Sequence, residues 1–455
     1  MNGEVLPSYM LRIFLFFIPI ALCLFEYTLF RYNAIFRESE ALLLDSQIQW
    51  MLFTTIAIWC ASFIGLKFTL DNMWLVGLLL ISIFMYFTNY LSAFQPTQAI
   101  ILLAGVTLGK GSAFFFNEKN SHRIIDNSFA LPQSSEIQRD LILILILLIS
   151  LTSLCHLNMA GSIYHGTRWM GLWDNPNIYG MLMGAGVVLT AGLLADGRWE
   201  IEDGENGKRK LFRVSSRCPL PIILFIAAAM MAVGLVCSYS RGAWLGTAVG
   251  LLYLAWSYGK LKWRLVLPGL FVVAVVVGFF WHSTADTDAW YFKRLDLSRP
   301  SAQHRVSAWR GALQMMRDHP LGVGWNNAVS VYDKDYSPPE GGAAAITTND
   351  YLMIGTELGL PGLICFVAYV WLCFRRSRPH LTLTLSPPAA GSGEGIRSAC
   401  LAGAVVLLVA FWFDGGLFEL ATTAVFWILL ELGGSNSEGR MKNVETESKL
   451  EMKLP

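Results

Sequence analysis

Twelve apolar runs recur along the chain, at about 10–30, 48–66, 73–91, 97–116, 141–159, 177–195, 219–238, 242–259, 264–282, 351–374, 399–413 and 417–432. Most match the ~20 residues that an α-helix needs to cross a hydrocarbon core of about 30 Å. Backbone in lipid finds no water to bond, so such runs satisfy their peptide groups internally, as helices. Composition agrees: 54% hydrophobic residues, 15% charged and a mean hydropathy of +0.48 exclude an ordinary soluble domain. The expected fold is all-α and polytopic. The last two runs are short and separated only by Asp414-Gly415-Gly416, which fits a tight hairpin or one bent element. The first run is longer than a signal-peptide core and lacks a small-x-small cleavage site, so it reads as a retained span.

Basic residues set the orientation. Lys67, Lys110, Lys119, Arg123, Arg139, the stretch from Arg198 to Arg217, Lys260, Lys262, Arg264, Arg375, Arg376, Arg378 and Arg397 all fall on one face. The short opposite loops keep only Arg31, Arg37, Arg168 and Arg241. By the positive-inside rule both termini are cytoplasmic, and the long loop before the tenth run is extracytoplasmic. The expected organisation is spans one to nine over 1–282, the loop over 283–350, spans ten to twelve over 351–432, and a disordered cytoplasmic tail over 433–455. Charged 196–217 and Ser/Pro/Gly-rich 378–396 read as solvated linkers. Scattered basic residues and a net charge of +1 give no nucleic-acid face. The eight cysteines lie mostly in apolar runs, with neither disulfide nor zinc spacing, so no metal or other cofactor is expected. The spans are largely free of central charge and show no inverted repeat, which argues against a transporter or flippase.

The loop is the one large polar surface. Within it Val306, Trp309, Leu313 and Met316 recur at spacings of three and four, predicting an amphipathic helix over 302–316. Ser301 is a candidate cap, His319-Pro320 a stop, and Trp309 a residue for headgroup depth. Arg305 and Arg310 flank the stripe, and His304 precedes it. Arg168 lies in a Gly- and Asn-rich turn before Asn175-Pro176-Asn177, and Arg241 in the hinge Ser238-Tyr239-Ser240-Arg241-Gly242. Guanidinium groups suit a diphosphate, offering permanent charge and a planar fork of donors. An ordinary loop contact for Arg168 and a lipid-phosphate contact for Arg241 remain open. His319, His304 and His165 fit helix-end contacts as well as substrate contact. Asp350 fits a base or a helix N-terminal charge.

The hinge Ser240-Arg241-Gly242-Ala243-Trp244, the earlier Arg168, the loop run Arg305 to Gly324, and Asn349-Asp350-Tyr351-Leu352 with Glu357-Leu358-Gly359-Leu360-Pro361-Gly362 resemble the O-antigen ligase and polymerase superfamily. The resemblance implies a GT-C-like membrane fold of about twelve helices in the bacterial inner membrane, with its site facing the periplasm. It implies metal-independent transfer of a glycan from an undecaprenyl diphosphate carrier to lipid A core or another glycan. A polysaccharide polymerase is the near alternative; a lipid-linked glycan transporter or non-catalytic scaffold is more distant. By the same resemblance Arg168 and Arg241 bind the diphosphate, while His304, Arg305, Arg310 and Asn349 serve the acceptor and loop. Thr348 stands where many ligases have a histidine, and a threonine hydroxyl has no accessible basic form near neutral pH. The proton work then passes to Asp350, His319 or His304, or no strong base is used.

Overall fold

The computed structural model describes residues 73–89, 97–115, 134–154, 168–173, 175–196, 220–258, 300–337, 349–377 and 394–434. Among these residues every regular element is a helix. In chain order they are α1 (Met73–Asn89), α2 (Thr97–Phe115), α3 (Ser134–Leu154), α4 (Pro176–Asp196), α5 (Leu220–Ser238) and α6 (Arg241–Ser257), followed by α7 (Pro300–Asp318), α8 (Ala328–Asp335), α9 (Asp350–Glu357), α10 (Gly359–Ser377), α11 (Glu394–Ala410) and α12 (Leu420–Gly434). The expected spans at 10–30, 48–66 and 264–282 lie outside the described residues, as do His165, Thr348 and residues 435–455.

Among the described residues, three helices are long and apolar enough to cross a membrane: Pro176–Ala195, Pro221–Ser238 and Gly359–Ser377. Helices α4, α11 and α12 form the middle of the bundle. Helix α11 packs on α4, α6 and α12, while α2 and α10 pack on the far side of α12. Close approach of α6 to α11 depends on Gly246 and Gly250, where a Cβ would lie 2.4 Å from the Val406 carbonyl and 2.9 Å from that of Ala402. Such small residues let helix backbones meet where lipid provides no hydrophobic drive. The outer helices expose apolar side chains instead: Ile222, Phe225, Ile226, Val233 and Val236 on α5, and Ile364, Val367 and Trp371 on α10. That apolar exterior is what lipid requires.

The run 351–374, expected as one span, is two helices. Pro361 has no N–H to offer the Glu357 carbonyl four residues earlier, and Gly359 takes a left-handed φ of +73° that ends α9. The freed carbonyls are bonded from the loop: Val323 N–H donates to Thr356 (2.9 Å), Gly324 N–H to Glu357 (3.0 Å), and Leu360 N–H returns to Pro320 (2.9 Å). The last two runs, left open between a hairpin and one bent element, are separate packed helices joined by residues 411–419.

The amphipathic helix forms over Pro300–Asp318, ending before His319-Pro320. Ser301 lies inside its first turn and is not its cap; Pro300 occupies the first helical position, where its missing N–H is harmless. Its buried face is Ala308, Gly311, Ala312, Met315 and Met316, while Val306 and Leu313 are exposed, contrary to the expected stripe. Small residues set this contact because Tyr332 of α8 packs onto Gly311 and Met316 lies over Gly355 of α9. Charge also occurs within the bundle: Lys110 bonds Glu431 at 3.0 Å and Tyr369 OH donates to the same carboxylate, tying α2, α10 and α12 together.

Candidate functional site

The turn 411–419 between α11 and α12 gathers the loop helix, the arginine hinge and the start of α9. At the hinge α5 ends at Ser238 and α6 begins at Arg241, with Tyr239 at a left-handed φ of 51° making the reversal. Ser240 caps α6: its Oγ accepts from Ala243 N–H at 3.2 Å. The same hydroxyl donates to Asp414 Oδ2 at 2.9 Å. The other oxygen, Oδ1, accepts from Arg305 Nη2 at 3.3 Å, and Arg305 Nη1 donates to the Phe413 carbonyl at 2.7 Å. Asp414, 8% exposed, thus joins the loop helix to the cap beside Arg241. Gly242 makes room for it, since a Cβ there would sit 2.7 Å from Oδ2.

Arg168 reaches the same hinge. Its Nε donates to the Ser238 carbonyl at 2.8 Å and its Nη2 to Asn177 Oδ1 at 2.7 Å, while Trp169 N–H donates to Cys237 O at 2.9 Å. Helix α4 starts at Pro176, with Asn175 Oδ1 accepting from Asn177 N–H at 2.9 Å. Arg241 itself is exposed at the first position of α6, where the helix dipole adds to its own charge.

Asn349 caps α9, its Oδ1 accepting from Leu352 N–H at 3.1 Å. Asp350, 2% exposed, turns away from its own helix: Oδ2 accepts from Gly416 N–H (2.7 Å) and Leu417 N–H (2.8 Å). Its backbone N–H donates to the Phe411 carbonyl at 3.1 Å, so the start of α9 holds both ends of the turn. Burial raises the Asp350 carboxyl from 3.8 to about 7, against the two N–H donors and with help from Glu419. Folding therefore favours the protonated form. The stability this gives is complete below about pH 4 and is lost as pH rises through about 7. Asp350→Asn, which keeps an acceptor oxygen without charge, is expected to flatten that fall in melting temperature between pH 5 and 8. It should cost less than about tenfold in transfer; a loss of two to four orders would instead mark Asp350 as a general base.

The other candidates do not converge. His319 is exposed and caps the far end of α7, its N–H donating to Met315 O at 2.8 Å. It lies fourteen residues beyond Arg305, about 20 Å along the axis. Arg310 is exposed, about 140° around the helix from Arg305. His304 lies early in α7. Glu357, 1% exposed, accepts from Asn326 N–H at 3.2 Å and supports the loop segment docked on the α9–α10 break. Among the described residues, no group of three or more His, Cys, Asp or Glu side chains is placed to hold a metal.

No curated protein matches the sequence. The family model described as O-antigen ligase matches residues 226–367, a stretch that holds Arg241, Arg305 and Asp350 while Arg168 and Asp414 lie outside it. The match over residues 226–367 supports membership of the O-antigen ligase and polymerase superfamily and suggests ligase- or polymerase-type, glycosyltransferase-like function, and with the apolar helices it indicates an integral membrane protein.

Proposed function

We propose that the protein moves a glycan from an undecaprenyl diphosphate carrier to a lipid or glycan acceptor at the periplasmic face of the bacterial inner membrane. The observation that carries this is the convergence of Arg168, Arg241 and Arg305 on one hinge and one turn through Ser238, Ser240 and Asp414. Three guanidiniums at one end of a bundle suit a diphosphate, and charge at membrane depth is kept where it has a partner. In the step itself the acceptor oxygen attacks the anomeric carbon, and the bond to the diphosphate oxygen breaks with its electron pair. The hydroxyl proton passes to the departing diphosphate or to solvent. The arginines stabilise the charge that develops on the leaving group. A single displacement inverts the anomeric centre. Asp350 serves mainly to hold the turn that carries Asp414.

Surface glycans of a deletion strain test the reading. Loss of a ligase leaves unattached polymer, and loss of a polymerase leaves single repeat units on the acceptor. Unchanged glycans, together with no transfer by membranes holding donor and native acceptor, would leave the scaffold reading in its place. Orientation is testable separately in a background lacking the eight native cysteines. Asp335→Cys, exposed on α8, should label with an impermeant reagent from outside, and Asn206→Cys should not; the reverse pattern removes the arginines from the periplasm.

A further inference from the structure

We propose that Trp309, Trp412 and Tyr351 form a platform that holds one pyranose ring of the reacting glycans, with the N–H groups of Trp309 and Asn349 as its donors. The inference rests on the glycosyl-transfer reading above. Trp412 is 43% exposed; its ring centroid lies 6.0 Å from that of Trp309, at 67°, and 5.5 Å from that of Tyr351, at 44°. Tyr351 is fixed in this set because its hydroxyl donates to the Leu408 carbonyl at 2.8 Å. Two donors here are unsatisfied, one on the Trp309 ring and one on Asn349, two residues before Tyr351. Trp309 Nε1 and Asn349 Nδ2 are buried without an acceptor, and Asn349 as a whole is 0% exposed. A buried donor left unpaired asks for an explanation, because desolvation is costly unless something accepts.

A sugar ring answers both features. The C–H edges of a pyranose carry partial positive charge and settle on the negative face of an aromatic ring. Its hydroxyl and ring oxygens accept from N–H groups. The position fits the chemistry as well. Trp309 follows Arg305 by four residues on α7, about 6 Å along the axis. Trp412 directly precedes Phe413, whose carbonyl Arg305 holds at 2.7 Å. A sugar bonded to a diphosphate at the arginines, or an acceptor sugar approaching its anomeric carbon, comes within reach of the platform. Aromatic residues also gather at membrane interfaces simply to meet headgroups. That role accounts for exposed rings but not for the buried, unpaired N–H groups of Trp309 and Asn349.

The test uses the full-length protein with carrier-linked donor and native acceptor, varying each in turn. Trp412→Leu keeps an apolar side chain and loses the aromatic face, so the KM for one of the two glycans should rise about three- to tenfold, the worth of one aromatic contact. Trp412→Phe should lose less, and Trp309→Phe, which keeps a ring but removes the N–H, should raise the same KM. A rise for the donor places the carrier-linked sugar on the platform, and a rise for the acceptor places the receiving sugar there. Leucine and phenylalanine variants matching wild type in both KM values would reduce the cluster to a lipid contact. Trp309→Phe decides the matter alone if the leucine variant does not fold. Should wild type transfer nothing, the functional reading fails rather than this one. The platform is then tested by titrating tryptophan fluorescence with methyl hexopyranosides, where a response equal in wild type and Trp412→Leu overturns it.

Discussion

Arg241→Lys is expected to lose glycan transfer almost as fully as Arg241→Ala, by roughly two to three orders of magnitude, the usual cost of removing one preorganised donor at developing charge. Lysine keeps the charge. It loses the planar two-point fork, and its flexible stem does not hold a compact ammonium in the position that the hinge gives the guanidinium. The hinge matters to the size of the effect. Ser240 caps α6 and is itself held by Asp414, so the backbone at Arg241 is anchored before any ligand arrives. Arg317→Ala, exposed near the far end of α7, is the control and should leave transfer unchanged. The measurement is transfer from carrier-linked donor at matched membrane levels. Wild-type rates in Arg241→Lys would make this arginine a lipid-phosphate contact, and the diphosphate role would fall to Arg168 and Arg305.

The helices themselves were legible in the sequence because hydropathy and the helical period are local signals. The runs at 73–91, 97–116, 177–195, 219–238 and 242–259 appear as helices within a few residues of their expected bounds. The loop helix was legible in extent and only half in face, since Trp309 and Met316 of the expected stripe pack inward. Its buried face includes Ala308, Gly311 and Ala312, which carry little hydropathy, beside Met315 and Met316, whereas Val306 and Leu313 face outward. The break before Gly359 is hidden in an unbroken apolar run, although Gly359-Leu360-Pro361-Gly362 is a signal for it. Of the site, the arginines stood out because a guanidinium in a short loop between spans is rare. Asp414 did not. In Asp414-Gly415-Gly416 it reads as ordinary turn chemistry, and its partners Arg305 and Ser240 lie 109 and 174 residues away. Separations of that size leave no local pattern. Asp350 was read as a base or a helix-end charge, and its bonds to the peptide groups of Gly416 and Leu417 depend on a chain reversal that only packing reveals.

Asp414→Ala is the second large effect expected, because one carboxylate serves two partners. Removing it takes the acceptor from Arg305 Nη2 and from Ser240 Oγ together, leaving Arg305 held to this turn through the Phe413 carbonyl. A fully buried pair broken in this way costs about 3–5 kcal/mol. Arg305 is 30% exposed, so solvent screening lowers the expectation to about 1–2 kcal/mol, a factor of roughly 5 to 30 from misplacement of the guanidinium. Loss of the hydrogen bond that anchors Ser240 to the turn, with its cap on α6 still in place, adds about 1 kcal/mol, which acts on the position of Arg241. Together the transfer rate should fall roughly 30- to 200-fold, while Asp414→Asn, which can still accept from one partner, falls less. A merely structural Asp414 would lower the melting temperature and the amount of folded protein without changing the behaviour of what remains. A positioning role makes a different demand. In a double-mutant cycle Asp414→Ala and Arg305→Ala should be far from additive in kcat/KM for the donor, because each removes the same arrangement. Ser240→Ala combined with Asp414→Ala should behave likewise. Additive effects in both cycles, at equal levels of folded protein, would show that the carboxylate does not act through the arginine or the cap, and the convergence at the turn would lose its claim to be the site.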